Sequence, residues 1–527
     1  MSNPPHPDDA QHAPRVRRVG VRYHANASSL FSHLGGTEST DAVLLESADI
    51  TTKSGLKSVA VLRASLRVTC NGPRVVAQPL SASGEVLARR LRSQLADYLV
   101  GDDVYEFPAS KAVDERERLT AASSVEVLRA LTTRAGYREG DFPFLAGGIA
   151  FDYLATFEEL PAVGESTNTY PDYQFVLAET LLNIDHRSRE AYVAGITFDG
   201  TEPALDELAK DIDTADTADT AANEPAKAEP QATLRVTADI PDEQFRADVN
   251  KLKADIDNGD IYQVVPARTF TAPCPDAFAA YQRLRGINPS PYMFYVRGLA
   301  RTGEPFELFG ASPESNLKFS AESRQLELYP IAGTRPRGLA PDGSVDHELD
   351  TRMELQLRTD AKEIAEHTML VDLARNDLAR VAVPRTRRVA ELLQVDRYSR
   401  VMHLVSRVTA TLDAGLDALD AYRACMNMGT LTGAPKLRAT ELIRELEGTR
   451  RGSYGGAVGY LSGSGDMDTC IVIRSAYVTG GVASVQAGAG VVRDSNPQSE
   501  ADETLHKAYA VLDAIAGAAG AELEVAK

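Results

Sequence analysis

An α+β fold, built from two packed, mostly antiparallel β-sheets with helices outside them, is what this sequence predicts. Three observations lead there. Runs of β-branched and apolar residues recur at AVLLES, SVAVLRASLRVT, AGGIAFDYL and QFVLAETLLNI, and again at 315–331, 395–410, 454–462 and 468–488. Helix-like stretches interrupt these runs without a regular βαβ rhythm, which argues against a doubly wound parallel sheet. The length, 527 residues, exceeds what one core usually serves, so two lobes are expected.

Taken in order, residues 1–15 are rich in Pro, His and Asp and read as a disordered leader. Residues 16–200 carry the first strand runs and form an N-terminal lobe. From 201 to 235 the chain holds the near-repeat TADTADTAAN and the tract EPAKAEPQA, which cannot support a core. That segment is read as a linker or surface insertion opening with a short helix, PALDELAKDI. Residues 236–520 form the second lobe. There PDEQFRADVNKLKADIDNGD reads as an amphipathic helix ended by Gly259, and IYQVVPARTF as a strand. A helix after Asn496 is capped by Ser495 or Asn496, with Pro497 in its first turn.

Composition narrows the function. Hydrophobic content of 43% and charged content of 25% are those of an ordinary globular protein. A net charge of −19 makes nucleic acid and anionic membrane poor partners. Four scattered cysteines without metal-ligand spacing suggest reduced thiols. The N-terminus has no apolar signal segment and no run approaches a membrane span, so a soluble, cytoplasmic protein is expected.

Glu363 and Glu366 lie three residues apart, as do Glu500 and Glu503, so each pair shares one helix face. Either pair alone is more often a solvated face. Two such helices brought together could hold a hard cation in one acidic pocket. The strings around them decide between these readings: PIAGTRPRG, MGTLTGAPK and QAGAGVVRDSNPQSE. With these strings in this order, the chain resembles the chorismate-utilising enzymes over essentially all of 236–515. The resemblance extends more thinly to AVLLESADI, and it is closest to the family's anthranilate-forming branch.

The resemblance implies the same α+β fold, with the active-site cleft in the C-terminal part. It implies a Mg²⁺ ion with Glu366 and Glu503 as direct ligands, and with Glu363 and Glu500 acting through water or orienting substrate. By it, chorismate contacts fall to Gly333, Thr334, Tyr454 and Arg474, and to the backbone N–H groups of Gly488, Ala489 and Gly490. A glycine-rich turn lets main-chain donors approach a carboxylate closely. His403, in the strand-like RVMHLVSRV, is on its own most simply a structural histidine; the family uses its position as the acid/base group. Thr430 and Lys436 would line or brace the same cleft, and for Lys436 a packed structural ion pair is the equal alternative.

Two positions select the reaction within the family. Relatives that add water to chorismate carry a lysine base where this chain has Gln263, which cannot deprotonate water. Relatives that form 4-amino-4-deoxychorismate carry a nucleophilic lysine where this chain has Ala332. Together they imply amination at ring carbon 2 followed by pyruvate elimination, giving anthranilate. The alternatives are the 4-amino-4-deoxychorismate reaction and a non-catalytic tryptophan- or metal-binding regulator.

None of the four cysteines sits in the G-x-C-x-G turn of a class I glutaminase. A separate glutamine amidotransferase subunit is therefore implied as the ammonia source, and with it a hetero-oligomer, expected as a heterotetramer. LLES and NPSPYMF, as bare sequence a strand end and a Pro-stiffened loop, resemble the family's L-tryptophan feedback site. Carried over, Glu46 and Ser47 hold polar groups of the effector, and Pro291, Tyr292 and Met293 line the indole pocket. Val458, Tyr460 and Cys470 lie on neighbouring strands, so the effector would bridge the two lobes.

Overall fold

The computed structural model describes residues 13–49, 55–216, 232–340, 344–398 and 401–525. Its architecture turns on two long antiparallel strands, Gly55–Asn71 and Tyr173–Asp185, whose register shifts between Val61 and Leu66. On one side of these bulges the pair is flanked by Val43–Ala48 and Glu190–Thr197. On the other it is flanked by Arg74–Pro79 and Phe144–Ile149. A bulge adds local twist and lets a strand pass from one layer to another.

Two wings spread from that hinge. The first continues through Val43–Ala48, Tyr292–Leu299, Pro305–Ser312, Ser475–Thr479, Val482–Gly488, Ala267–Pro273 and Ala232–Ala238. It ends on Ala521–Val525, a parallel pairing in an otherwise antiparallel network. The second runs through Phe144–Ile149, Ala457–Ser462, Met467–Ile471, Ser315–Ser320, Gln325–Leu328 and Val401–Thr411. Ile331–Pro336 and Arg388–Arg397 flank its last strand. The α+β class therefore holds, but the two separate sheets expected from the sequence are one continuous hydrogen-bonded network. The pattern of apolar runs records burial on both faces, not where a bulged strand changes layer.

Both faces of the hinge are buried. Val43 packs in a cluster with Leu66, Phe144, Leu177, Leu317 and Val458, whereas its neighbour Leu44 packs with Phe270, Tyr295, Phe309 and Leu512. Period-two alternation splits adjacent side chains between the layers, which is why VLL reads as a continuous apolar run. Residues from before 200 and after 236 alternate within the network, since Val43–Ala48 lies between Gly55–Asn71 and Tyr292–Leu299.

Other expectations resolve locally. Residues 1–12 of the expected leader and 217–231 of the expected insertion lie outside the described residues; Asp206–Thr214 is helical and Ala232–Ala238 is a strand. Helix Asp242–Asp257 forms and gives way at Gly259, φ +86°. IYQVVPARTF is not one strand: Gln263–Val264 pairs with Gly433–Ala434, and Ala267–Pro273 pairs with Val482–Gly488. Pro266 has no N–H to donate, so the ladder changes partner there.

The second wing closes tightly at Gly147 and Gly459, which face each other across strands. A Cβ on Gly147 would fall 2.1 Å from the Gln174 carbonyl oxygen. Backbone cannot yield as a side-chain tip can. Gly147→Val is expected to destabilise the fold by about 3 kcal/mol, read as a lowered urea midpoint with an unchanged slope.

Candidate active site

Two helices carry the carboxylates. Asp360 caps helix Ala361–Ala379 by accepting from Lys362 N and Glu363 N. Asn496, rather than Ser495, caps helix Pro497–Ala518 by accepting from Gln498 N and Ser499 N, with Pro497 at the first position. Ser495 Oγ instead accepts from Val492 N at 3.0 Å. Both caps place glutamates in first turns, where the helix dipole favours negative charge.

Each glutamate has a distinct partner. Arg335 donates to Glu363 Oε1 at 2.7 Å and to Asp360 at 2.6 Å, clamping the start of the first helix. Gln263 Nε2 donates to Glu366 Oε1 at 3.1 Å. Lys507 Nζ lies 2.5 Å from Glu503 Oε1 and donates to the Gly488 carbonyl at 3.0 Å. Burial, and then the neighbouring Glu363, push Glu366 up to about 7. Burial also raises Glu500. At Glu503 burial opposes ionisation, but Lys507, with Arg474 and Lys362, holds the carboxyl below its ordinary range. Glu503 itself contributes to the rise at Glu366, so the two pairs feel one another. Among the described residues no three His, Cys, Asp or Glu side chains converge as a metal cage.

The glycines report close approach. At Gly333, φ +84°, a Cβ would come 3.2 Å from Glu363 Oε2. At Gly490 it would come 2.9 Å from Gln263 Nε2 and 3.2 Å from Glu366 Oε1. At Gly488 it would meet the Pro266 carbonyl at 2.7 Å and the Tyr454 hydroxyl at 3.2 Å. One expectation changes here. The Ala489 N–H already donates to Pro266 O at 3.1 Å, so the turn does not present three free donors.

His403 and Thr334 face each other across strands, with Nδ1 and Oγ1 2.9 Å apart. Burial, and then the Arg474 guanidinium, hold the imidazole down at about 4, so it is neutral at pH 7. Arg474 lies where the chain leaves Met467–Ile471 in one wing for Ser475–Thr479 in the other, and its φ is +51°. It forms no ion pair among the described residues.

Glu314 was not among the residues singled out from the sequence. It lies at the companion crossing, between Pro305–Ser312 and Ser315–Ser320. The Thr430 hydroxyl donates to its Oε1 at 3.1 Å. Burial pushes its carboxyl up to about 8, although Thr430, Arg474 and Lys507 oppose this, so it carries a proton at neutral pH. The available signal was the one carboxylate in LFGASPESNLKF, because an acid between strand-like runs is rarely buried without a role.

Lys436 stands apart from this group. Its buried Nζ lies 2.7 Å from Asp377 Oδ2 and 2.7 Å from the Cys425 carbonyl, so the structural alternative describes it. A second constellation lies elsewhere. Glu46, Ser47, Tyr292, Met293, Val458, Tyr460 and Cys470 line one cavity of about 400 Å³, whereas Pro291 does not line it. Glu46 accepts from Tyr281 at 2.5 Å and Arg285 at 3.2 Å, and Tyr292 donates to Asp468 at 3.0 Å.

The Arg474 guanidinium bears on Glu314, Glu503 and His403, so the two sheet crossings and the second glutamate helix share one electrostatic neighbourhood. The chain belongs to the chorismate binding enzyme family, whose sequence pattern matches residues 92–513. It is 49% identical over 517 residues to anthranilate synthase component 1 of Vibrio parahaemolyticus, covering 95% of this chain and 93% of the relative. It is 49% identical over 504 residues to anthranilate synthase component 1 of Escherichia coli (strain K12), covering 94% and 96%. Among solved structures, anthranilate synthase component I from Streptococcus pneumoniae superposes with a TM-score of 0.65 at 27% identity, covering 86% of this chain and 92% of that one.

The Lys436–Asp377 pair is testable apart from catalysis. Lys436→Met leaves Asp377 buried and unpaired and is expected to cost about 3–5 kcal/mol of stability. Adding Asp377→Leu should recover most of that loss in thermal unfolding, which a role confined to the cleft would not produce.

Proposed function

We propose that this chain converts chorismate and ammonia to anthranilate and pyruvate. The observation that carries the reading is Gln263. Its amide is 2% exposed, donates to Glu366, and leaves Oε1 without a partner among the described residues. A neutral amide cannot deprotonate water, but an unpaired carbonyl oxygen can accept an N–H of ammonia, which is already a nucleophile. Ala332 offers no side chain that could attack the ring instead.

The residues divide the work. Arg474 and the Gly488–Gly490 turn take substrate carboxylate, with Tyr454, Gly333 and Thr334 shaping the cleft. Nitrogen bonds to ring carbon 2 while the hydroxyl at carbon 4 leaves as water with the proton held by Glu314. Elimination then removes the hydrogen at carbon 2, breaks the bond to the enolpyruvyl oxygen and protonates the departing group to pyruvate. His403, neutral and hydrogen-bonded to Thr334, serves as a proton acceptor rather than a standing acid. Thr430 holds Glu314 in place.

A Mg²⁺ ion fits the carboxylates present, with Glu366 and Glu503 to hold it and Glu363 and Glu500 to orient the surrounding groups. What supports it is charge: burial, and then the charges of Glu363 and Glu503, push Glu366 up to about 7, and a dication would favour its ionised form. When bound, it supplies neutralisation of the ring carboxylate and withdraws electrons from the ring.

Ammonia comes from a separate glutamine amidotransferase subunit in a hetero-oligomer. All four cysteines here are buried, and burial raises every thiol above its ordinary value, Cys274 and Cys425 to about 12. A glutaminase nucleophile needs the opposite shift. L-Tryptophan is the proposed occupant of the 400 Å³ cavity. No helix among the described residues is long and apolar enough to cross a membrane, and a cytoplasmic site of action belongs to the proposal.

The deciding assay supplies the purified chain with chorismate, Mg²⁺ and an ammonium salt at alkaline pH and follows anthranilate fluorescence. A product aminated at carbon 4, or none at all, would refute the reading. Glu314→Gln should lower turnover roughly 10²- to 10⁴-fold. With the parent, a rate that depends on protonated Glu314 should decline as pH rises through about 8. Ser47→Phe should raise the tryptophan concentration for half-inhibition at least about tenfold, equivalent to ~1.4 kcal/mol. The ammonia-dependent Michaelis constant for chorismate should not change in that variant.

A further inference from the structure

Three elements of the site meet at a buried histidine to which the proposed function gives no task. His367 follows Glu363 by one turn of helix Ala361–Ala379, so both lie on the face turned toward strand Ile331–Pro336. Its side chain is fully buried. Nδ1 lies 3.3 Å from the Ala332 carbonyl, and Nε2 lies 2.7 Å from Ser406 Oγ, on the strand that carries His403. Ser406 Oγ accepts in turn from Leu393 N at 3.0 Å, on strand Arg388–Arg397.

The direction of these bonds is fixed. A carbonyl only accepts, so Nδ1 carries a proton. Burial lowers the imidazole below its ordinary value, so the ring is neutral at pH 7 and Nε2 accepts from the Ser406 hydroxyl. The chain of bonds runs one way, from the Leu393 N–H through Ser406 and His367 to the Ala332 carbonyl. What it anchors is a bulge. Ala332 pairs with Leu404 and Thr334 with His403, leaving Gly333 as the extra residue, φ +84°. A bulge re-aims the side chain beside it. Here it brings Thr334 Oγ1 to 2.9 Å from His403 Nδ1, and the Gly333 backbone also bonds that imidazole. The Ala332 carbonyl shares its peptide plane with the Gly333 N–H, so a bond to it fixes how the chain enters the bulge.

We propose that His367 is a positioning residue for the reaction: by holding the Ala332–Gly333 peptide, it sets where Gly333 and Thr334 hold the His403 imidazole. It acts through His403 and touches no reacting atom, a role that rests on the reading of chorismate as substrate and His403 as proton acceptor. Substrate binding is left to other residues, so the loss on removing His367 falls on turnover.

The test compares His367→Leu, which removes both bonds, with His367→Asn, whose amide can still donate to Ala332. With chorismate and an ammonium salt, His367→Leu should lose roughly 10- to 100-fold in kcat, the scale of a misplaced catalytic group. Its KM for chorismate should change by less than about threefold. His367→Asn should recover most of the lost kcat. In a Thr334→Val background the His367→Leu penalty should be at least about threefold smaller, because part of what it serves is already gone. Ser406→Ala should lower kcat in the same direction if His367→Leu folds poorly. Unchanged kcat in the folded variants, or equal penalties in the two Thr334 backgrounds, would overturn the proposal and leave a plain packing role. Crystal structures of the parent and His367→Leu decide the positioning without turnover. Thr334 Oγ1 and His403 Nδ1 should separate beyond hydrogen-bond distance, and an unmoved pair would overturn it. A parent that makes no anthranilate would sink the functional reading, while the two structures still decide whether His367 sets the pair.

Discussion

The register shifts between Gly55–Asn71 and Tyr173–Asp185 are what the rest of the molecule depends on. Without them the two strands would pair uniformly and the network would remain in one layer. With them the sheet divides into two wings, and any later chain segment that visits both must cross between them. Two segments do so with very short connections, through Pro313–Glu314 and through Val472–Arg474. The crossings are themselves tied together, since Ile471 N donates to the Glu314 carbonyl at 3.0 Å and Ala311 N to the Arg474 carbonyl at 3.1 Å. A crossing backbone cannot follow ordinary strand geometry, and Arg474 accordingly holds φ at +51°. Such a conformation costs of order 1–3 kcal/mol and persists only where the surroundings over-determine it. Here the backbone bonds from both wings do so.

That geometry explains how an acidic protein can present a site for an anion. The chain carries a net charge of −19, and its site holds four glutamates. Glu314 adds no charge because burial keeps it protonated, and His403 remains neutral. Arg335 pairs with Glu363, and Lys507 pairs with Glu503. Arg474, by contrast, forms no ion pair among the described residues, and its charge bears on Glu314, Glu503 and His403. The field is reversed locally by suppressing carboxylate charge rather than by massing cations.

Much of this was legible in the sequence, for identifiable reasons. Helical spacing placed Glu363 with Glu366 and Glu500 with Glu503 because i,i+3 geometry is local. The Asn496 cap and the Pro497 start were legible for the same reason. Gly333 was legible as part of a motif, and the structure adds its cause, a left-handed backbone pressed against Glu363. The misses are all non-local. The wing hinge depends on which strands pair, and alternation of apolar residues does not encode partners. Glu314 sits in a connection whose importance comes from a crossing partner over 150 residues away. Ala489 was expected to donate to substrate, but Pro266, distant in sequence, takes its N–H. Lys436 had two readings that only the position of Asp377 could separate.

The cavity proposed for tryptophan shares more than a wall with the catalytic crossing. Cys470 lines it, pairs in register with Ser315, and is followed by Ile471, whose N–H holds the Glu314 carbonyl. Tyr292, which also lines it, pairs in register with Ser312, at the other end of the same short connection. Glu314 is thus suspended between two strands that each contribute a side chain to the cavity. Packed interiors do not deform continuously. An occupant that fixes the separation of Tyr292 and Cys470 therefore also fixes where Ser312 and Ser315 hold the Pro313–Glu314 backbone. The Glu314 carboxyl is held by the Thr430 hydroxyl and by the Ile331 backbone, both outside that connection, so a displacement of the Pro313–Glu314 backbone shifts it against those partners. An effector bound at this cavity would need no wholesale lobe rotation to reach that carboxyl, because the connection that carries it is paired directly to strands lining the cavity.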